Sequence, residues 1–126
     1  MTSPVPSTDP LFPARWLPVA ERICEQFYAE FPDHDARYGA RGRDFCAHDN
    51  AYLVAWLVDS LELAGADSFK RNVDWLRDLL AARGFPMEAF QRNLDLVGEA
   101  VAELRPLEAD QVRQAVALAR NSGVPG

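Results

Sequence analysis

What most constrains this chain is its punctuation by proline and glycine. Pro32, Gly65, Gly84, Pro86 and Pro106 cut it into stretches of helical length. Within each stretch apolar residues recur three and four positions apart, the period of a helix face rather than the alternation of a strand. "PARWLPVAERICEQFYAEF" predicts a first helix, broken near Pro18, with Ala20, Ile23, Cys24, Phe27 and Phe31 on one stripe and Pro32 ending it. Residues 32–42 predict a polar loop or irregular helix. A second helix is expected from about Arg43 to Ala64, sharing a broad face of Phe45, Tyr52, Leu53, Trp56, Leu57, Ser60, Leu61 and Ala64. Gly65 stands where its C-terminal cap belongs. Asp67 is placed to N-cap a third helix, "SFKRNVDWLRDLLAAR", whose stripe of Phe69, Val73, Leu76 and Leu80 is widened by Trp75 and Leu79. Pro86 opens a fourth, with Phe90, Leu94, Val97, Val101 and Leu104 inward. After Pro106, "LEADQVRQAVALARN" turns Val112, Ala115, Val116 and Ala119 inward. Nothing reads as a strand, and no repeat of about 20–50 residues appears. The expectation is an all-α fold of about five helices.

A chain of 126 residues suits one compact domain. Residues 1–12 are expected to be a flexible tail and 13–124 a single helical domain. "MTSPVPSTDP" carries neither the basic nor the hydrophobic region of a signal peptide. No apolar run approaches the roughly 20 residues that span a bilayer, so no membrane association is expected. A net charge of −6 argues against nucleic acid, whose phosphates are met by Lys and Arg. Arg37, Arg41 and Arg43 are offset by Asp33, Asp35 and Asp44. Cys24 and Cys46 lack the close pairing of a metal site. Without a secretory signal they read as reduced thiols in a cytoplasmic protein.

Asp49 is the residue that periodicity does not explain. It follows Phe45 by four and precedes Tyr52 by three, inside the apolar stripe. A carboxylate there needs a partner, because an unpaired buried charge is very costly. Arg41 or Arg22 would supply an internal partner; a ligand's N–H groups would supply an external one. Cys46 shares that face, three residues earlier, and reads either as a small buried hydrophobe or as an attachment point. For the attachment role, a helix N-terminus and Arg41 and Arg43 nearby would lower its pKa. His48 pairs at i, i+4 with Asp44 on an outer face. His34, His48 and scattered carboxylates fall short of a metal site, so no metal is expected. Ordinary haem is disfavoured because no histidine follows position 48. The arginines serve either loop solubility or carboxylate recognition. Trp56 and Trp75 read first as core. General acid–base catalysis would need a second group beside Asp49, and none stands out, so no enzyme is expected.

The stretches "CAHDNAYLVAWLVDSLELAGAD" and "WLRDLLAARGFPMEAF" resemble the globin-fold phycobiliproteins over roughly residues 41–104. Those proteins carry Cys-x-x-Asp on a central helix, then an aromatic-rich run and an Ala-Gly-Asp-like turn. The region is similar also to phycobiliprotein-like globins encoded with bilin biosynthesis, and to helical domains joined to cobalamin-binding domains. The resemblance implies a globin-like bundle of about five to six helices. It further implies a linear tetrapyrrole such as biliverdin or phycocyanobilin, carried, chaperoned or sensed without catalysis. Cys46 would match the bilin-attaching cysteine and Asp49 the aspartate that binds pyrrole N–H groups. Where the family has a propionate-binding arginine this chain has His48, which leaves propionates to Arg41 or Arg43. Tyr52, Trp56 and Trp75 would line the pocket. Implied partners are bilin-biosynthesis enzymes or a second copy. The alternative is a helical protein–protein interaction or regulatory module without cofactor.

Overall fold

The computed structural model describes residues 11–121, and among these every regular element is helical. A 3-10 turn at Ala14–Trp16 leads into α1, Leu17–Glu30, with Pro18 in its first turn, where a missing N–H costs nothing. The break expected near Pro18 is this change from 3-10 to α geometry. Then follow α2 (Asp33–Asp59), a π turn (Ser60–Ala64), α3 (Ala66–Ala82), α4 (Met87–Leu104), a 3-10 turn (Pro106–Glu108) and α5 (Ala109–Arg120). The chain divides into two compact units, Met1–Ala55 and Trp56–Gly126.

In the first unit α2 begins ten residues earlier than its apolar pattern suggested. Asp33 and Asp35 in its first turn favour a helix N-terminus. The helix is interrupted at Gly39, whose φ of 65° and ψ of −161° belong to glycine almost alone. Val19, Ala20, Ile23, Cys24, Phe27 and Tyr28 of α1 are buried. So is Phe12, which clusters with Ala20 and Ala51; the rest of the expected tail lies outside the described residues except Leu11, which is exposed. His34 is buried inside a ring cluster, with centroids 5.1 Å from Phe27, 5.7 Å from Phe31 and 5.2 Å from Tyr38. Burial pushes its pKa below the usual histidine value, and Arg37 acts the same way against an opposing Asp33.

The second unit is built around α5, which packs on both α3 and α4. The inward set expected for α5, Val112, Ala115, Val116 and Ala119, is the buried set observed. On α4, Phe90, Leu94, Val97 and Val101 are buried, while Leu104 at the end of the helix is exposed. A Cβ on Gly98 would come within 2.9 Å of Val116 Cγ2, so glycine there permits close approach of α4 to α5. α3 ends in a Schellman motif: Gly84, at φ 79°, donates to Ala81 O and Phe85 donates to Leu80 O, both at 3.0 Å. Asp67 is not the N-cap of α3; Gly65 is, and Asp67 sits in the first turn, where its charge meets the positive end of the helix. Trp75 does not join the core but is 61% exposed. Leu76 beside it is buried as expected, and so is Arg77.

Candidate functional site

Five of the residues singled out on α2, Arg41, Phe45, His48, Asp49 and Tyr52, lie along one side of that helix in the first unit. Positions 41, 45, 48, 49 and 52 succeed one another at spacings of one, three and four, so their side chains rise as a stripe. At its start the Arg41 guanidinium carbon stands 6.0 Å from the Phe45 ring centroid. One turn further, Asp49 Oδ1 lies 3.2 Å from His48 Nδ1, with the Asp49 side chain 30% exposed. A carboxylate only accepts, so in this contact Nδ1 carries the hydrogen and donates to Asp49. The His48 ring stacks on Phe12 at 5.3 Å and 18°, and Tyr52 meets both rings edge-on, at 5.7 Å from Phe12 and 5.2 Å from His48.

This geometry changes the account of Asp49. Its partner is neither Arg41 nor Arg22 but its neighbour His48. The residue that enters the interior is the next one, Asn50, at 2% exposure. Phe45, taken as an inward anchor, is on the exposed side. Leu53 and Leu57 of the expected face are buried, but Asn50, Ala51, Val54 and Val58 join them in place of Phe45, so the buried face of α2 is rotated from the one expected.

Cys46 is not a reduced thiol. It is disulfide-bonded to Cys24 of α1, with Cα atoms 6.1 Å apart, and among the described residues no cysteine is free. The lack of a signal segment says nothing of two cysteines 22 residues apart that α1 and α2 bring together. Arg43 is engaged as well: Nε and Nη2 each lie 2.6 Å from an Asp35 carboxylate oxygen, and its guanidinium carbon is 4.3 Å from the Tyr28 ring centroid. The fork holds Asp35 below the usual carboxylate pKa. Burial raises the Tyr28 pKa, partly offset by Arg43. Gly42 makes this packing possible, since a Cβ would collide with Tyr38 Cβ and stand 3.2 Å from Tyr28 Oη.

Trp56 and Trp75 fall in the second unit, Trp56 half-buried and Trp75 exposed. No group of three or more His, Cys, Asp or Glu that could hold a metal ion occurs among the described residues. No described helix is long and apolar enough to cross a membrane.

No protein-family model, curated protein or solved structure matches this chain.

Reasoning from sequence missed two members of the site. The spacing pairs His48 with Asp44, and the expected tail of residues 1–12 takes in Phe12, whereas the two rings stack on each other. The available signal for Phe12 was the apolar pair "LF" just ahead of the first helix, the position from which a side chain folds back onto a helix start.

Proposed function

We propose that this protein binds, without catalysis, a flat conjugated ligand that donates N–H groups and carries carboxylates, and that the ligand is a linear tetrapyrrole. The observation that supports this reading best is the α2 stripe of a cation, rings and a carboxylate. Asp49 is accessible enough to accept pyrrole N–H groups in charge-assisted hydrogen bonds, with His48 Nδ1 beside it at 3.2 Å. His48 and Tyr52, seated on buried Phe12, offer ring faces and edges to a conjugated system. Arg41 stands two turns before Asp49, about 12 Å along the axis at 1.5 Å per residue, placed for a propionate. Arg43 is already committed to Asp35 and serves the loop rather than the ligand. Attachment through Cys46 fits only the reduced protein, because a sulfur in a disulfide cannot form a thioether. The reading takes the cytoplasm as the compartment, where ambient thiols make the state of that bond a variable.

Titration with biliverdin, followed by absorbance, tests this. A sharpened red band is expected, displaced by denaturant in the oxidised protein. In the Asp49→Asn variant affinity should fall about tenfold or more, the worth of a hydrogen bond to a charged group. No spectral change at any ratio would sink the reading. A cofactor-free interaction module is favoured by a different observation, the exposure of Leu63, Trp75 and Leu107 in the second unit. It predicts self-association in sedimentation velocity that Trp75→Ala weakens.

A further inference from the structure

The disulfide has an unusual neighbour for a purely structural cross-link. Asn50 follows Cys46 by one helical turn and is almost wholly buried. Its Nδ2 donates to the Cys46 carbonyl oxygen at 3.0 Å. That oxygen can only accept, so the amide presents its nitrogen on this side. The same nitrogen lies 3.4 Å from Cys46 Sγ and 3.5 Å from Cys24 Sγ. Sulfur in a disulfide is a weak acceptor, whereas a thiolate accepts a charge-assisted bond of roughly twice the strength. Asn50 therefore stabilises the opened pair more than the closed one. The two sulfurs also differ in access: Cys24 is buried at 6% exposure, while Cys46 is only half-buried.

We propose that Cys24–Cys46 is a reactive disulfide, opened by exchange with a dithiol reductant that attacks Cys46, with Asn50 stabilising Cys24 as it leaves. A reductant thiolate attacks Cys46 Sγ and forms a mixed disulfide; the Cys24–Cys46 bond breaks and its electron pair leaves on Cys24 Sγ, facing the Asn50 amide. The reductant's second thiol, deprotonated, then attacks its own sulfur in the mixed disulfide and releases Cys46 as a thiolate. Two electrons pass to the protein, the dithiol becomes a disulfide, and its two protons go to solvent or to the new thiolates. Opening removes the covalent tie between α1 and α2. Phe12, which leads into α1 and stacks on His48 of α2, loses part of what seats it. The state of the bond thus reaches the His48–Asp49 stripe, whatever that stripe binds.

The native protein, without denaturant, is equilibrated in buffers of graded reduced and oxidised dithiothreitol. It is then acid-quenched and counted for free thiols by alkylation and mass. Full opening at millimolar dithiothreitol is expected, and Asn50→Ala should lower the equilibrium constant for reduction by about tenfold, the loss of one charge-assisted contact. A brief exposure of the wild-type protein to glutathione, trapped in acid and mapped by peptide mass, should place the adduct on Cys46. Reduction that requires unfolding, an adduct confined to Cys24, or an Asn50→Ala protein that folds and titrates like the wild type would each overturn the proposal. The first two readouts need no variant and are independent of tetrapyrrole binding.

Discussion

Arg77 carries a charge into the interior of the second unit, and its stability there depends on each end of the guanidinium having a partner. Nη1 lies 2.7 Å from Asp74 Oδ1, and Nη2 donates to Ala119 O at 2.5 Å in the last turn of α5. The Phe90 ring centroid lies 5.5 Å from its guanidinium carbon. A cation at a helix C-terminus is favourable, and the fork reaches two acceptors at once, which a lysine cannot do. Replacing Arg77 by Met keeps most of the apolar stem and removes both hydrogen bonds. The second unit should lose about 2–3 kcal/mol in urea unfolding, with Arg77→Lys recovering little of it. Equal stability of Met and wild type would show the bonds to contribute nothing. This residue was illegible in the sequence because a charge in an amphipathic pattern is read as exposed, while the long arginine stem lets the head cross apolar surface. Asn50 was hidden differently. With Phe45 as anchor, Asp49 falls on the inward stripe; with Ala51 and Val54 as anchors, Asn50 does. One residue turns a helix by about 100°, and the pattern alone did not choose between the two faces.

At the scale of elements, helix ends were the legible part. Pro32, Gly65, Gly84, Pro86 and Pro106 all stand at or beside observed boundaries, since a missing N–H or a positive φ acts locally and needs no tertiary context. Faces were legible where one class of residue dominates, as on α5, and only partly so on α2, where Leu53 and Leu57 lie inside as expected but the large Phe45 is exposed and the small Ala51 and Val54 are buried. The early start of α2 was also missed, because Gly39 and the charges around it read as loop. The structure resolves this by a helical segment, an abrupt turn at Gly39, and a second helical segment. A Cβ on Gly39 would meet nothing within 4 Å, so any cost of Gly39→Ala is backbone strain alone. Thermal and urea unfolding should show a loss of about 1–3 kcal/mol. A neutral result would mean that the chain relaxes into one straight helix there, and a gain in helical circular dichroism would accompany it.

Over the whole molecule, chemistry is divided unevenly. Both histidines, both cysteines and all three tyrosines lie in the first 55 residues, while the second unit has none of these. The first unit therefore holds the groups that respond to pH near neutrality and to thiols. His34 decides the sign of the pH response. Its pKa is lowered by burial in the ring cluster, so the unfolded chain, with an ordinary histidine, takes up the proton more readily than the folded one. Stability from keeping His34 neutral is fully present above the ordinary histidine pKa, about 6.5, and is lost as pH falls below it toward the folded value. Exposed carboxylates such as Asp35, held low by Arg43, titrate well beneath that window and do not confuse it. Between pH 7 and pH 5, hydrogen exchange should therefore accelerate in α1 and α2 before α3, α4 and α5. In His34→Phe, which keeps a ring among Phe27, Phe31 and Tyr38 but cannot take a proton, that early acceleration should largely disappear. If the variant loses protection over the same interval as the wild type, burial of His34 has no part in the acid response.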